Sequence, residues 1–145
     1  MAASMSSVFS TLEQGAILTT SIDNSKSQGS SIWDTNGGNN TQDKIFLLSC
    51  AEANKYFGVT REDSNNMRSR MSFTAYALQA GAYPSDSIKT ADEAAAGWWW
   101  LRSPGRTQNC AVYVLPDGAL SYSSVNNGLV CVRPALWVNL ESDIF

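Results

Sequence analysis

The hydrophobic and polar positions change period along the chain, and the change divides it in two. The first half reads as short helices set among polar stretches. Ser10-Thr11-Leu12-Glu13 fits a capping box and predicts a helix from about Thr11 that ends near Gly15. Ala16 to Ile22 is β-branched and apolar enough for a strand, and Asp23 to Gln42 is a polar loop that Trp33 pins to the body. Lys44 to Ser49 reads as a short buried strand. Ser49 and Glu52 form a second capping box, for a helix over Cys50 to Phe57 that Gly58 stops. Thr60 to Arg70 reads as polar loop, and Phe73 to Ala80 as a helix closed by Gly81. Tyr83 to Gly97 is loop with one helical turn over Ala91 to Ala96.

Beyond Gly97 the period falls to two. Trp98, Trp99 and Trp100 open an apolar frame, and Ala111 to Val114 alternates into the turn Pro116-Asp117-Gly118. Ala119 to Val125 returns, Asn126-Asn127-Gly128 turns again, and Leu129 to Leu140 is predicted as the last strand. The expected class is therefore α+β, with short helices first, a small antiparallel sheet last and much irregular loop. Residues 9–145 are read as one domain, and residues 1–8 as a disordered or cloning-derived start.

Between the apolar flanks the last third is rich in Ser, Asn, Gly and Tyr, the adaptable composition of antibody recognition loops. Composition narrows the chemistry. No histidine occurs, which removes Ser-His-Asp and Cys-His nucleophiles and histidine-based zinc sites. Cys50, Cys110 and Cys131 are odd in number and lack CxxC spacing, so they are expected as free thiols. A net charge of −3 with ten scattered Lys and Arg excludes a nucleic-acid footprint. No stretch nears the roughly 20 apolar residues of a membrane span, and the start shows no signal-peptide pattern. Pro116-Asp117-Gly118 is taken as a turn, and Asp34-Thr35-Asn36 as solvated loop, since neither has the ligand spacing of a calcium loop. No metal and no cofactor are expected.

WWWLRSPG from Trp98, then A-x-Y-V-x-x-DG from Ala111, then VRPALWVNL from Val132, resembles the C-terminal part of C-type-lectin-fold variable proteins of diversity-generating retroelements. The branch is the one similar to formylglycine-generating enzyme, and the likeness runs from about Phe9 to Leu140. The resemblance implies a C-type-lectin-like scaffold in bacterial or phage proteins, at the cell surface, secreted or on a virion. In such proteins a reverse transcriptase randomises template adenines, so Asn codons yield many residue types.

The frame the resemblance implies comprises Trp98, Trp99, Trp100, Arg102, Pro104, Gly105, Gly118, Arg133, Pro134 and Trp137. The exchangeable, ligand-facing positions are Arg106, Thr107, Asn109, Cys110, Tyr113 and Leu115, followed by Ser121, Ser123, Asn126, Asn127, Leu129 and Val130. Each is reachable from an Asn codon through its adenines alone. Gln108 is not, and belongs to the frame. The family's usual N-terminal strands are missing here, which implies an unpaired edge on the last strand, available to a homo-oligomer.

The three tryptophans are read as core packing rather than a sugar platform, since strand neighbours point to opposite faces. Arg102 and Arg133 are read as structural, holding carbonyls or a carboxylate. Tyr113 is read as a ligand contact, whereas Tyr122 fits either a ligand contact or an ordinary strand residue. The function that follows is a binding domain of receptor or adhesin type for a protein or cell-surface glycan, and not an enzyme. The rivals are a fixed carbohydrate-binding module and a degenerate formylglycine-generating-type oxidase.

Overall fold

The computed structural model describes residues 8–29, 33–142 and 144. Apart from Val8, the expected start over residues 1–8 lies outside them. The observed class is α+β, with three short α-helices and three small antiparallel sheets among the described residues.

Both capping boxes form. Ser10 caps α1 (Thr11–Ala16) and Ser49 caps α2 (Cys50–Phe57), each with reciprocal bonds to the glutamate three residues on. Gly58 closes α2 in the left-handed region at φ 70°, where an L side chain is strained. Thr74 caps α3 (Ala75–Gln79). β1 (Thr20–Ile22) pairs with β2 (Thr41–Asp43), and β3 (Met71–Ser72) with β4 (Ala96–Gly97). The main sheet is β5 (Trp99–Pro104), β6 (Cys110–Val114) and β7 (Leu120–Ser124), in that order.

Several expectations from the pattern are corrected. The strand over Ala16 to Ile22 shrinks to its last three residues, because α1 runs through Ala16. Lys44 to Ser49 is not a strand; only Phe46 makes a bridge, to Ala135. The helical turn over Ala91 to Ala96 is absent, and Ala96–Gly97 is strand instead. The Phe73 ring lies where a Cβ on Gly97 would stand, so only glycine lets β4 pass beneath it. The long loop is shorter than expected, since its end forms β2.

The largest correction concerns Leu129 to Leu140, which is not a continuous strand. Its backbone partners are split among three segments: Cys131 bridges Trp99, Ala135 bridges Phe46 and Val138 bridges Ile17. Pro134 has no N–H to extend a ladder. The continuous edge expected for a homo-oligomer is therefore not formed, although Val132 and Trp137 are 64% and 48% exposed.

The core lies between the inner face of β5–β6 and α2. Trp99, Leu101, Val112 and Val114 pack with Ile22, Phe46, Leu48, Ala53 and Val59. Trp99 is fully buried, which stabilises the fold by about 5 kcal/mol of apolar transfer. Its indole N–H donates to Ser69 O at 3.0 Å, so burial strands no donor. Arg133 covers the ring at 4.8 Å and Phe57 at 4.5 Å, and donates to Ser69 O.

Arg102 joins three segments to β5. Its guanidinium donates to Leu47 O, to Asp23 O and to the Glu52 carboxylate of α2. Beside it, Ser103 Oγ donates to Gln28 O at 2.7 Å and accepts from Cys50 N at 2.9 Å. Burial alone would raise the Glu52 carboxyl. Hydrogen bonds from Arg102 and Ser49, with the guanidinium charge, outweigh it and hold the carboxyl below its ordinary value. A depressed pKa stabilises the fold above the ordinary carboxylate range, and that contribution is lost as pH falls through the folded-state value.

Two predictions follow from these contacts. Glu52→Gln is expected to lower unfolding free energy by about 2 kcal/mol at neutral pH and to flatten the loss of stability on acidification. Urea titrations across the acid range check this, and curves for the two proteins that stay parallel would contradict it. Gly118 sits at φ 102°, and a Cβ there would lie 2.7 Å from Asn66 O. Gly118→Ala is accordingly expected to cost about 2 kcal/mol or more by thermal denaturation.

Candidate functional site

Register fixes which side chains share a face. β5 and β6 set Trp100 opposite Tyr113, and β6 and β7 set Tyr113 opposite Ser121 and Ala111 opposite Ser123. These residues point away from the core, because Trp99, Val112 and Val114 point into it. The outer face therefore carries Trp100, Tyr113, Ser121 and Ser123, with the Trp100 and Tyr113 rings meeting edge to face at 5.7 Å. Of the three tryptophans only Trp99 enters the core. Trp98 and Trp100 are half-buried on the other side.

At one margin this face runs into an open groove of about 530 Å³ lined by Tyr83, Trp98, Tyr113, Asn127, Leu129 and Val130. Four of the twelve positions expected to be exchangeable meet there: Tyr113, Asn127, Leu129 and Val130. The Tyr83 and Trp98 rings lie 6.0 Å apart with their planes tilted by 32°. Asn127 shapes the turn, donating to Ser123 Oγ at 3.2 Å and accepting from Leu129 N at 3.1 Å. Leu129 is exposed while Val130 is buried at the groove floor. Another groove, of about 460 Å³ near Phe9, Ile17, Leu136 and Val138, contains none of the predicted site residues.

Of the other positions expected to be exchangeable, four sit at one end of the sheet. Arg106, Thr107 and Asn109 are exposed in the β5–β6 connection, and Asn126 is exposed in the turn after β7. Val125 N donates to Asn109 O at 3.1 Å, which ties these two loops together. Leu115 is half-buried just past β6. Cys110 departs from the group. Strand alternation sets it with Val112 and Tyr122 on the inner face, where a Cβ on Gly105 would lie 3.0 Å from its own. Trp33 covers that end, meeting Tyr122 edge to face at 4.8 Å, so the long loop is anchored where Trp33 was expected to hold it.

The frame residues work elsewhere. Arg102 holds two carbonyls and the Glu52 carboxylate, Arg133 covers the Phe57 and Trp99 rings and donates to Ser69 O, and Gly118 lies against Asn66 and Ser69. Gly105 packs on Tyr122, and Gln108 Nε2 donates to Asn36 O at 3.1 Å. Pro104 is half-buried and Pro134 exposed, while Trp137 meets Tyr56 edge to face at 6.5 Å. Sequence reasoning left Tyr83 in a featureless loop. No periodic signal marks it, and only the packing of that loop on Trp98 brings it to the groove.

Among the described residues no three His, Cys, Asp or Glu side chains gather to hold a metal, and no helix is long and apolar enough to cross a membrane. Cys131 shares a rung with Trp99 and Val114, whereas Cys110 lies four residues along β6 from Val114. That is about 13 Å of strand, well beyond disulfide reach. Burial pushes the Cys50 thiol up to about 11. Alkylation of the native protein is therefore expected to reach Cys110 and Cys131 while sparing Cys50 until denaturant is added, as peptide mass mapping would record. Native labelling of Cys50 at an equal rate would contradict this burial.

Among known families, residues 3–140 match the model of one described as a domain of unknown function, DUF6273. No curated protein and no solved structure matches the chain.

Proposed function

The chain belongs to the DUF6273 family, and we propose that it is a ligand-binding domain of receptor or adhesin type. It displays an exchangeable surface on a C-type-lectin-like scaffold, in the manner of retroelement variable proteins. Its ligand is a protein or a cell-surface glycan, bound without a cofactor and without chemical turnover. One observation carries the reading. Tyr113, Ser121, Ser123, Asn127 and Leu129 adjoin one another on the outer face, while Trp99 and Arg133 make their contacts on the inner side and Gly118 lies against Asn66 and Ser69. Exchange on the outer face then alters recognition without dismantling the core.

A fixed carbohydrate-binding module is the second reading. It is favoured by the Tyr83–Trp98 pair, an aromatic surface outside the twelve exchangeable positions. The oxidase reading has no such support, because Cys110 and Cys131 are not neighbours.

The test is a displayed library randomised at Arg106, Thr107, Asn109, Tyr113, Ser121, Ser123 and Asn126. Most members are expected to unfold cooperatively within about 5 °C of the parent, because surface changes usually stay near 0.5 kcal/mol, roughly, in either direction. Selection against unrelated proteins should yield binders. A library that is mostly unfolded, or folded yet barren, would overturn the reading.

A further inference from the structure

Three rings on different segments meet at the groove: Tyr83 from a loop, Trp98 before β5, and Tyr113 from β6. Tyr83 and Trp98 lie outside the exchangeable positions, so their surface stays constant whatever the others become. No lining residue carries a formal charge at neutral pH. Asn127 is the lone amide, and its two ends are already bonded to Ser123 and to Leu129 N. Leu129 and Val130 complete the wall with hydrocarbon.

These features decide between ligand chemistries. A charged group would lose its hydration with no counter-charge to replace it. A pyranose carries several hydroxyls and calls for several planar amides or carboxylates, whereas this lining holds one amide, with one N–H and one lone pair left, and no carboxylate. An uncharged aromatic side chain needs only ring faces and hydrocarbon, with the tyrosine and indole polar edges near the solvent. Tyr83 is 52% exposed and Leu129 56%, so a protruding residue can reach both.

Resting on the binding reading above, we propose that Tyr83 and Trp98 form a fixed subsite for one uncharged aromatic side chain of a protein partner. The exchangeable residues around it choose which protein presents that anchor. In this division the fixed rings supply affinity common to every variant, as central aromatic anchors do in protein interfaces, and the surrounding positions supply discrimination.

The test follows the tryptophan indole N–H and backbone amide resonances of the intact chain. The probes are N-acetyl-phenylalaninamide, methyl β-glucoside and tetramethylammonium chloride. The phenylalanine probe is expected to shift the Trp98 indole and the Leu129 amide saturably, with the glucoside and the ammonium ion leaving them in place. Tyr83→Ala should weaken the probe by about fivefold, and Tyr83→Trp should restore it, both with native resonance dispersion. Shifts by the glucoside alone would assign the subsite to glycans, and shifts by the ammonium ion alone to cations; either overturns the proposal. So does a Tyr83→Ala protein that binds as the parent does. A barren library beside a positive probe titration would sink the exchangeable-face reading alone. Binders from the library that do not respond to Tyr83→Ala would sink the subsite alone.

Discussion

The structure depends on the ion pair between Arg102 and Glu52 and the hydrogen bonds gathered around it. The last third of the chain carries Arg102 on β5, and the first half supplies each of its partners: Leu47 O, Asp23 O and the α2 carboxylate. They add to the Arg102 N–H bond to Leu48 O in fixing how helix α2 stands against the sheet. The hydrophobic effect is non-directional and sets only that Trp99 and Leu101 go inside. A planar guanidinium with several fixed donors sets where the surrounding backbone must stand. Ser103 repeats the arrangement one residue on, between Gln28 O and Cys50 N.

This inner anchoring leaves the outer face free. Adjacent residues of a strand point to opposite sides, so β5 can send Trp99 and Leu101 inward while Trp100 meets Tyr113 outside. Tyr113, Ser121 and Ser123 make no contribution to the Arg102 or Arg133 contacts. The half-buried aromatic residues of the outer face still pack on one another, which makes the surface firm rather than fluid.

Much of the fold was legible in local chemistry. Both capping boxes, the left-handed glycine after α2 and the alternation through β6 are short-range signals, and they appear where the residues indicate. The structural roles of Arg102 and Arg133 were legible as well. The pattern misled where several segments compete for the same backbone. Leu129 to Leu140 has the composition of a strand, yet its bonds go to Trp99, Phe46 and Ile17 in turn. Cys110 has the codon class of an exchangeable residue, but alternation carries it to the inner face.

The sequence by itself determined the two capping boxes, the left-handed glycine after α2 and the alternation through β6, because each is set by residues a few positions apart. The tertiary structure decided the rest: that Tyr83 lies against Trp98, that the 126–130 turn closes the groove beside Tyr113, and that the last segment bridges three neighbours. Those arrangements depend on which distant surfaces meet when the core closes, and no local period encodes that meeting.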